Sequence, residues 1–287
     1  NCSLKWESAM KRILTSLLAL AAGCALFGSQ AQTLVVRLDD LGGAHSMNQA
    51  IIKCYQEGVG RSTEVLAVGP WFLEGAKLCA ENPSLDVGCH LAITSEWDGY
   101  KWRPLTHCPS LCDEDGYLKP RIAFDQPLNA EELERELRAQ IELTRKYFPK
   151  VSHLTDHMMF SFAPGAKEVI AKLSAEYGLP YQGGFDDAAK GLNNLGMIGG
   201  FNGVPRPEGL LEAMKKMEKG KTYWTIEHPA FDDTEMQGLK TGAPNERPAG
   251  EDRQDVTNAF TSPSVLQYCK DNGIELISFA DFYARTK

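Results

Sequence analysis

The chain has no excess of positive charge. Its 30 lysines and arginines are outnumbered by 38 aspartates and glutamates, for a formal net charge of −8. No basic patch interrupts that balance, which argues against nucleic acid as a partner and favours a neutral or cationic small substrate. There is no glycine fingerprint of a dinucleotide fold and no internal repeat. The one long apolar run, Ile13 to Phe27, is too short and too poorly flanked for a stable membrane span. It follows Lys11-Arg12 and precedes Ser29-Gln30-Ala31, the charged region, apolar core and small-residue cleavage site of a secretory signal peptide. The expectation is translation from Met10, cleavage near Ala31 and a secreted or periplasmic mature chain. Lipidation at Cys24 is a lesser alternative, because no polar tether follows it. Residues 1–31 are thus read as extension and signal, and residues 32–287 as one domain.

Cysteine is sparse beyond that point. Six of the eight remain: Cys54, Cys79, Cys89, Cys108, Cys112 and Cys269. An oxidising compartment would permit disulfides among them. Cys54 and Cys79 fall in amphipathic helical stretches and Cys89 in a strand, so they read as buried thiols. Cys108 and Cys112 flank Pro-Ser-Leu beside His107, but no second CxxC or HxxxH accompanies them. A local disulfide or two free thiols fits better than half a zinc site.

Strand-like and helix-like segments alternate along the rest. Leu34-Val35-Val36 reads as a buried strand that ends in Asp39-Asp40 and turns at Gly42-Gly43. A helix over 46–57, a strand over 62–68, a helix from Pro70 and a strand over 85–91 follow. Asn129 caps a strong helix with Glu132 at the capping-box position. A strand over 151–155, a helix over 164–177, a helix over 207–219, a strand over 222–227, helices near 251–259 and 263–271 and a strand over 275–278 complete the series. Residues 183–206 are glycine-rich and resist assignment. This alternation implies a parallel sheet with helices outside, and six or more units favour an α/β barrel over an open sheet. Residues 92–127 form a long polar and aromatic insertion, a length that marks function or disorder. Its Trp97, Tyr100 and Trp102 argue against disorder. They suit stacking on sugar faces, and equally a small satellite core that pins the loop.

Strand ends carry the chemistry in parallel α/β folds. Asp40, His90 and His157 each stand at one, and a carboxylate with two imidazoles suits a catalytic divalent metal, magnesium or zinc. Asp39 beside them could take a proton. Alone, the Asp39-Asp40 pair reads first as a helix cap with a solvated neighbour, and each histidine alone reads first as a hydrogen-bonded core or surface residue. The joint pattern is what points to a site. His228 ends a further strand, and Glu227 and Arg253 are weaker candidates for substrate contact.

Several ordered motifs resemble the YdjC-like (ChbG-type) carbohydrate deacetylases: VRLDDLG at 36–42 with Asn48 following, STEVLAVGP at 62–70, NPSLDVGCHLAIT at 82–94, SLCDEDGYL at 110–118, HLTDHM at 153–158 and IEHPAFDD at 226–233. The resemblance spans nearly the whole mature chain. It implies a distorted (β/α) barrel that removes N-acetyl groups from mono- or oligosaccharides of the chitooligosaccharide type, with a divalent metal. Carried onto this chain, Asp39 is the base and Asp40, His90 and His157 hold the metal. Where the family often has a D-S-H-H-H-V-H cluster, this chain has Thr155-Asp156-His157-Met158-Met159-Phe160, and a subgroup of similar proteins has D-S-H-M there. The proton donor then has to come from elsewhere, and His228 is preferred over His153 and His45. The rival readings are a carbohydrate-binding protein on a degenerate barrel and a glycoside hydrolase using paired acids, although adjacent acids do not flank a bond from opposite sides. The sequence leaves oligomeric state open, a homodimer included.

Overall fold

The computed structural model describes residues 31–183, 190–196, 198, 206–242 and 247–286. The signal-like segment through Gln30 and most of the glycine-rich stretch lie outside the described residues. No helix among the described residues is long and apolar enough to cross a membrane.

Among the described residues seven strands form one sheet: β1 Thr33–Leu41, β2 Ser62–Val65, β3 Asp86–Leu91, β4 Leu154–Asp156, β5 Leu192–Asn194, β6 Thr222–Glu227 and β7 Glu275–Ile277. Every ladder is parallel and the order is β4-β3-β2-β1-β6-β5, with β7 on β1. The result is the distorted (β/α) barrel that the alternation implies. One distortion is visible on β1. Its first three residues pair with β7, and from Arg37 onward it pairs with β2, while β6 runs along it from Thr33 to Leu38. A strand shared in this way is buried throughout. Leu34, Val36 and Leu38 pack outward on helix residues Ile51, Leu210 and Phe260. Val35 faces inward with Trp224, Ile277 and Phe279, as the period of two requires.

Besides short turns of 3-10 helix at Pro109–Leu111 and His157–Phe162, the structure adds β5, a short helix Thr234–Gln237 and a C-terminal helix to the expected series. β5 lies inside the unassigned glycine-rich stretch. A C-terminal helix, Phe279–Thr286, begins against the start of the sheet: Phe279 N donates to Ser62 Oγ at 2.9 Å and Ala280 N to Asp86 Oδ2 at 3.1 Å. The six cysteines are all free, and five of them are buried.

The insertion is ordered by carboxylates of the helix Ala130–Tyr147. Asn129 caps that helix, accepting from Glu132 N at 3.1 Å. Glu132 does not return a capping-box bond; its Oε2 accepts from Ser110 N and Ser110 Oγ instead. One turn on, the buried Glu136 accepts from Leu105 N, Thr106 N and Thr106 Oγ1 at 3.0, 2.8 and 2.7 Å. Trp102 is tied back to Thr94 O through its indole N–H at 2.8 Å. Removing the Glu136 carboxylate leaves three donors without a protein partner, at about 1 kcal/mol or more for each that stays buried. Glu136→Ala is therefore expected to lose about 2 kcal/mol of stability, and limited proteolysis should cut first near residues 104–110. Unchanged denaturation and an uncut loop would contradict this account of what orders it.

Candidate metal centre

Alternation along β1 would place Asp39 and Asp40 on opposite faces. The register against β2 instead slips between Leu38 and Leu41, which pair with Thr63 and Val65. One extra residue is accommodated there as a β-bulge, and Asp40 takes the left-handed conformation at φ +74°. Both carboxylates then face the mouth of the barrel. Gly42, at φ +90°, follows, and a Cβ on it would stand 3.1 Å from Phe72 Cα and 3.2 Å from Leu66 O. A side chain there would be strained twice over.

Asp40 Oδ1 is 3.4 Å from His157 Nδ1 and 3.8 Å from His90 Nε2. All three residues are buried, and their ligand atoms lie within 4.8 Å of one another. Asp40 Oδ1 has no hydrogen-bond partner although it is shut off from solvent. A buried carboxylate oxygen without a donor is costly. Its companion Oδ2 is held at 2.8 Å by Arg253, so Oδ1 is the atom left free to coordinate. Carboxylate oxygen and two imidazole nitrogens at these separations fit a divalent cation, with bonds of about 2 Å to each.

Each imidazole is steered by its second nitrogen. His157 Nε2 is 2.9 Å from Glu96 Oε2, and His90 Nδ1 is 2.8 Å from Thr155 Oγ1. Burial lowers the His157 pKa, but Glu96 and Asp40 outweigh it and hold the group at about 10. Burial, with His157 and Arg37 nearby, keeps His90 well below the usual histidine range. Burial would raise Asp40, yet Arg253 and His157 keep it well below the usual carboxylate range.

Asp39 lies beside this trio, its Oδ2 3.5 Å from His90 Nε2. Arg37, two residues earlier on the same inward face, grips it with Nε to Oδ1 at 2.6 Å and Nη2 to Oδ2 at 2.7 Å. His228 stands at the rim with Nε2 3.9 Å from Asp39 Oδ2 and its side chain 36% exposed. The register explains this placement, since Leu38 pairs with Glu227 and the next residue on each strand is Asp39 and His228. His153 is fully buried, away from the mouth.

The remaining candidates are placed differently. Arg253 is buried and engaged with Asp40, not open to a substrate. Glu227 is also buried, with Oε1 accepting from Arg206 Nη1 and Ile198 N. Trp97 and Trp102 are only 6% and 5% exposed and belong to the main core cluster, so pinning the loop is the role their packing displays. Tyr100 is half-buried, with its hydroxyl donating to Gly43 O at 2.7 Å. The exposed indole near the mouth is Trp71, at 39%, whose backbone N–H donates to Gly42 O. Glu96 carries no signal of its own in the sequence, because no spacing rule says which acid a distant histidine will meet.

With this geometry established, similarity to known proteins is informative. Residues 33–271 match the family described as YdjC-like protein. The chain belongs to that family. A carbohydrate deacetylase of Geobacillus stearothermophilus is 24% identical over 254 residues, covering 87% of this chain and 97% of that one. A carbohydrate deacetylase of Thermus thermophilus is 38% identical over 150 residues, 52% of each chain. A crystal structure from Enterococcus faecalis V583, named for a candidate role in cellobiose-phosphate cleavage, superposes with a TM-score of 0.71 at 24% identity. The alignment covers 88% of this chain and 98% of that one, and it supports the fold.

A cation entering the centre must displace the proton that His157 carries in the metal-free protein. The affinity should therefore rise with pH below about 10, by about tenfold per unit. Chelator competition at about pH 6.5 and about pH 8.5 is expected to differ by about 100-fold in dissociation constant. A flat profile would mean that His157 is not a ligand or does not hold that proton.

Proposed function

We propose that this protein is a metal-dependent carbohydrate deacetylase, hydrolysing N-acetyl groups of mono- or oligosaccharides. The observation that carries the reading is the convergence of Asp40, His90 and His157 around an unpartnered carboxylate oxygen, with Asp39 and His228 side by side at the same mouth. The activity named for full-length relatives supports it. A divalent cation bound there would polarise the acetyl carbonyl and acidify a water molecule.

The protein's own groups supply the proton transfers. Asp39 takes the proton of the attacking water, and Arg37 holds its carboxylate in a fixed plane while doing so. Attack yields a tetrahedral oxyanion, whose collapse needs an acid because the leaving amine is too basic to depart unprotonated. His228, across the β1–β6 seam from Asp39, donates that proton. Trp71 provides an exposed indole for a sugar face. Chitooligosaccharide-type substrates and export after cleavage near Ala31 belong to the same proposal.

Acetate release from a panel of N-acetylated sugars, with and without chelator, is the deciding experiment. Chelator-sensitive release is expected. Sugar binding without release would favour a binding protein, and cleavage of glycosidic bonds would favour a glycoside hydrolase.

Asp39→Asn should lower kcat by about 100-fold or more with metal content unchanged, since the amide keeps the shape but cannot accept the proton. Loss of metal in this variant would make Asp39 a ligand instead. His228→Gln should also keep its metal, lower turnover and erase the limb of the pH–rate profile that reports the acid. Wild-type turnover in that variant would remove His228 from the reaction.

A further inference from the structure

Beneath the centre runs a line of buried polar groups that neither proton transfer uses. Asp86 Oδ1 accepts from Ser152 Oγ at 2.6 Å, and Ser152 Oγ lies 2.6 Å from His153 Nδ1. His153 Nε2 is 2.9 Å from Glu64 Oε1, Glu64 Oε2 accepts from Thr155 Oγ1 at 3.0 Å, and Thr155 Oγ1 is 2.8 Å from His90 Nδ1. Glu64, His153 and Thr155 are wholly shielded from solvent. The line occupies space that Gly88 leaves open, since a Cβ there would collide with Glu64 Oε2 and His153 Nε2.

Proton counting fixes the polarity of every link. A carboxylate only accepts, so the Ser152 hydroxyl proton goes to Asp86 and the Thr155 hydroxyl proton goes to Glu64. Each hydroxyl oxygen is then left to accept from a ring N–H. Ser152 receives the His153 Nδ1 proton and Glu64 receives the His153 Nε2 proton, so His153 is an imidazolium. Thr155 receives the Nδ1 proton of His90, whose Nε2 must then present a lone pair toward Asp40. The charges agree with this polarity. Burial lowers His153, but Glu64 outweighs it and the pKa ends raised. Burial would raise Glu64, but His153 and Arg37 hold it below the usual range.

We infer that Glu64, charge-balanced by His153 and acting through the Thr155 hydroxyl, is a positioning residue that locks His90 in its Nδ1–H tautomer as a metal ligand. The inference rests on the metal reading of the site. A neutral imidazole otherwise divides between two tautomers, and only one offers Nε2 to a cation. Outer partners of this kind are typically worth about 10- to 100-fold in metal affinity. Thr155→Val removes the acceptor while keeping the shape, and Thr155→Ser restores it.

The test is cobalt or zinc affinity by chelator competition, with the cobalt absorption spectrum as a check on ligand geometry. Thr155→Val should bind about 10- to 100-fold more weakly than wild type with an altered spectrum, and Thr155→Ser should match wild type. In the metal-free wild type, nitrogen-15 NMR of the imidazoles should find His90 protonated on Nδ1 and His153 protonated on both nitrogens. Wild-type affinity in Thr155→Val, equal losses in Thr155→Val and Thr155→Ser, or an Nε2–H tautomer at His90 would each overturn the inference. Should Thr155→Val fail to fold, the wild-type spectrum still decides. Failure of the wild type to bind either ion would sink the metal reading itself, while the tautomer would still report on the relay.

Discussion

The bulge in β1 is the constraint on which the site depends. A regular strand cannot show two consecutive side chains to one face, yet Asp39 and Asp40 both lie within 4 Å of His90 Nε2. The inserted residue and the positive φ of Asp40 reconcile these facts. Such a conformation in a non-glycine residue costs of order 1 kcal/mol or more. It persists because β1 is held along both edges, by β7 and β2 on one side and β6 on the other. The shared strand is thus more than a barrel irregularity. It is the clamp that keeps a strained carboxylate in place.

Charge burial is the second condition, and it is met locally. Arg37 spans Asp39, Arg253 takes one oxygen of Asp40, Glu96 takes the outer nitrogen of His157, and His153 balances Glu64. Burying any of these ions alone would cost several kcal/mol. Pairing leaves one conspicuous deficit, the orphaned Oδ1 of Asp40. A cation there would complete a set of partners that is otherwise closed. The same pairing explains the placement of Arg253: its guanidinium is engaged with Asp40 of the candidate centre, so it is already committed before any substrate arrives.

Much of this was legible in the sequence, for physical reasons that can be named. β6 matched its expected range because Tyr223 and Trp224 lie in an unbroken strand-forming run stopped by Pro229. The metal trio was legible because parallel strands deliver their ends to one mouth, whatever the distance in sequence. β5 was not, since Leu192-Asn193-Asn194 is short and polar and is held by pairing with β6. The insertion was legible only in part. Its aromatics left two readings equally open, stacking on sugar or pinning the loop, and only the fold shows Trp97 and Trp102 tucked under it while the carboxylates of a distant helix hold its backbone. Long-range hydrogen bonds leave no local pattern, so the links from Glu96 to His157 and from Glu64 to Thr155 emerge only in three dimensions.

The methionines after His157 bear on where an acid can stand. Met158 and Met159 occupy the turn after His157, at φ 56° and 55°, with Met159 61% exposed. A thioether transfers no proton, so acid chemistry at this mouth has to be sought on another strand. The β1–β6 register supplies a position that is fixed by the backbone rather than by a loop: one residue beyond the Leu38–Glu227 pair, the chain offers Asp39 on one strand and His228 on the other. Asp39 is buried and clamped by Arg37, whereas His228 keeps contact with solvent. That asymmetry matches the division of labour in the proposed reaction. A base must be held in one orientation against the attacking water, and an acid must be reprotonated from solvent in every cycle.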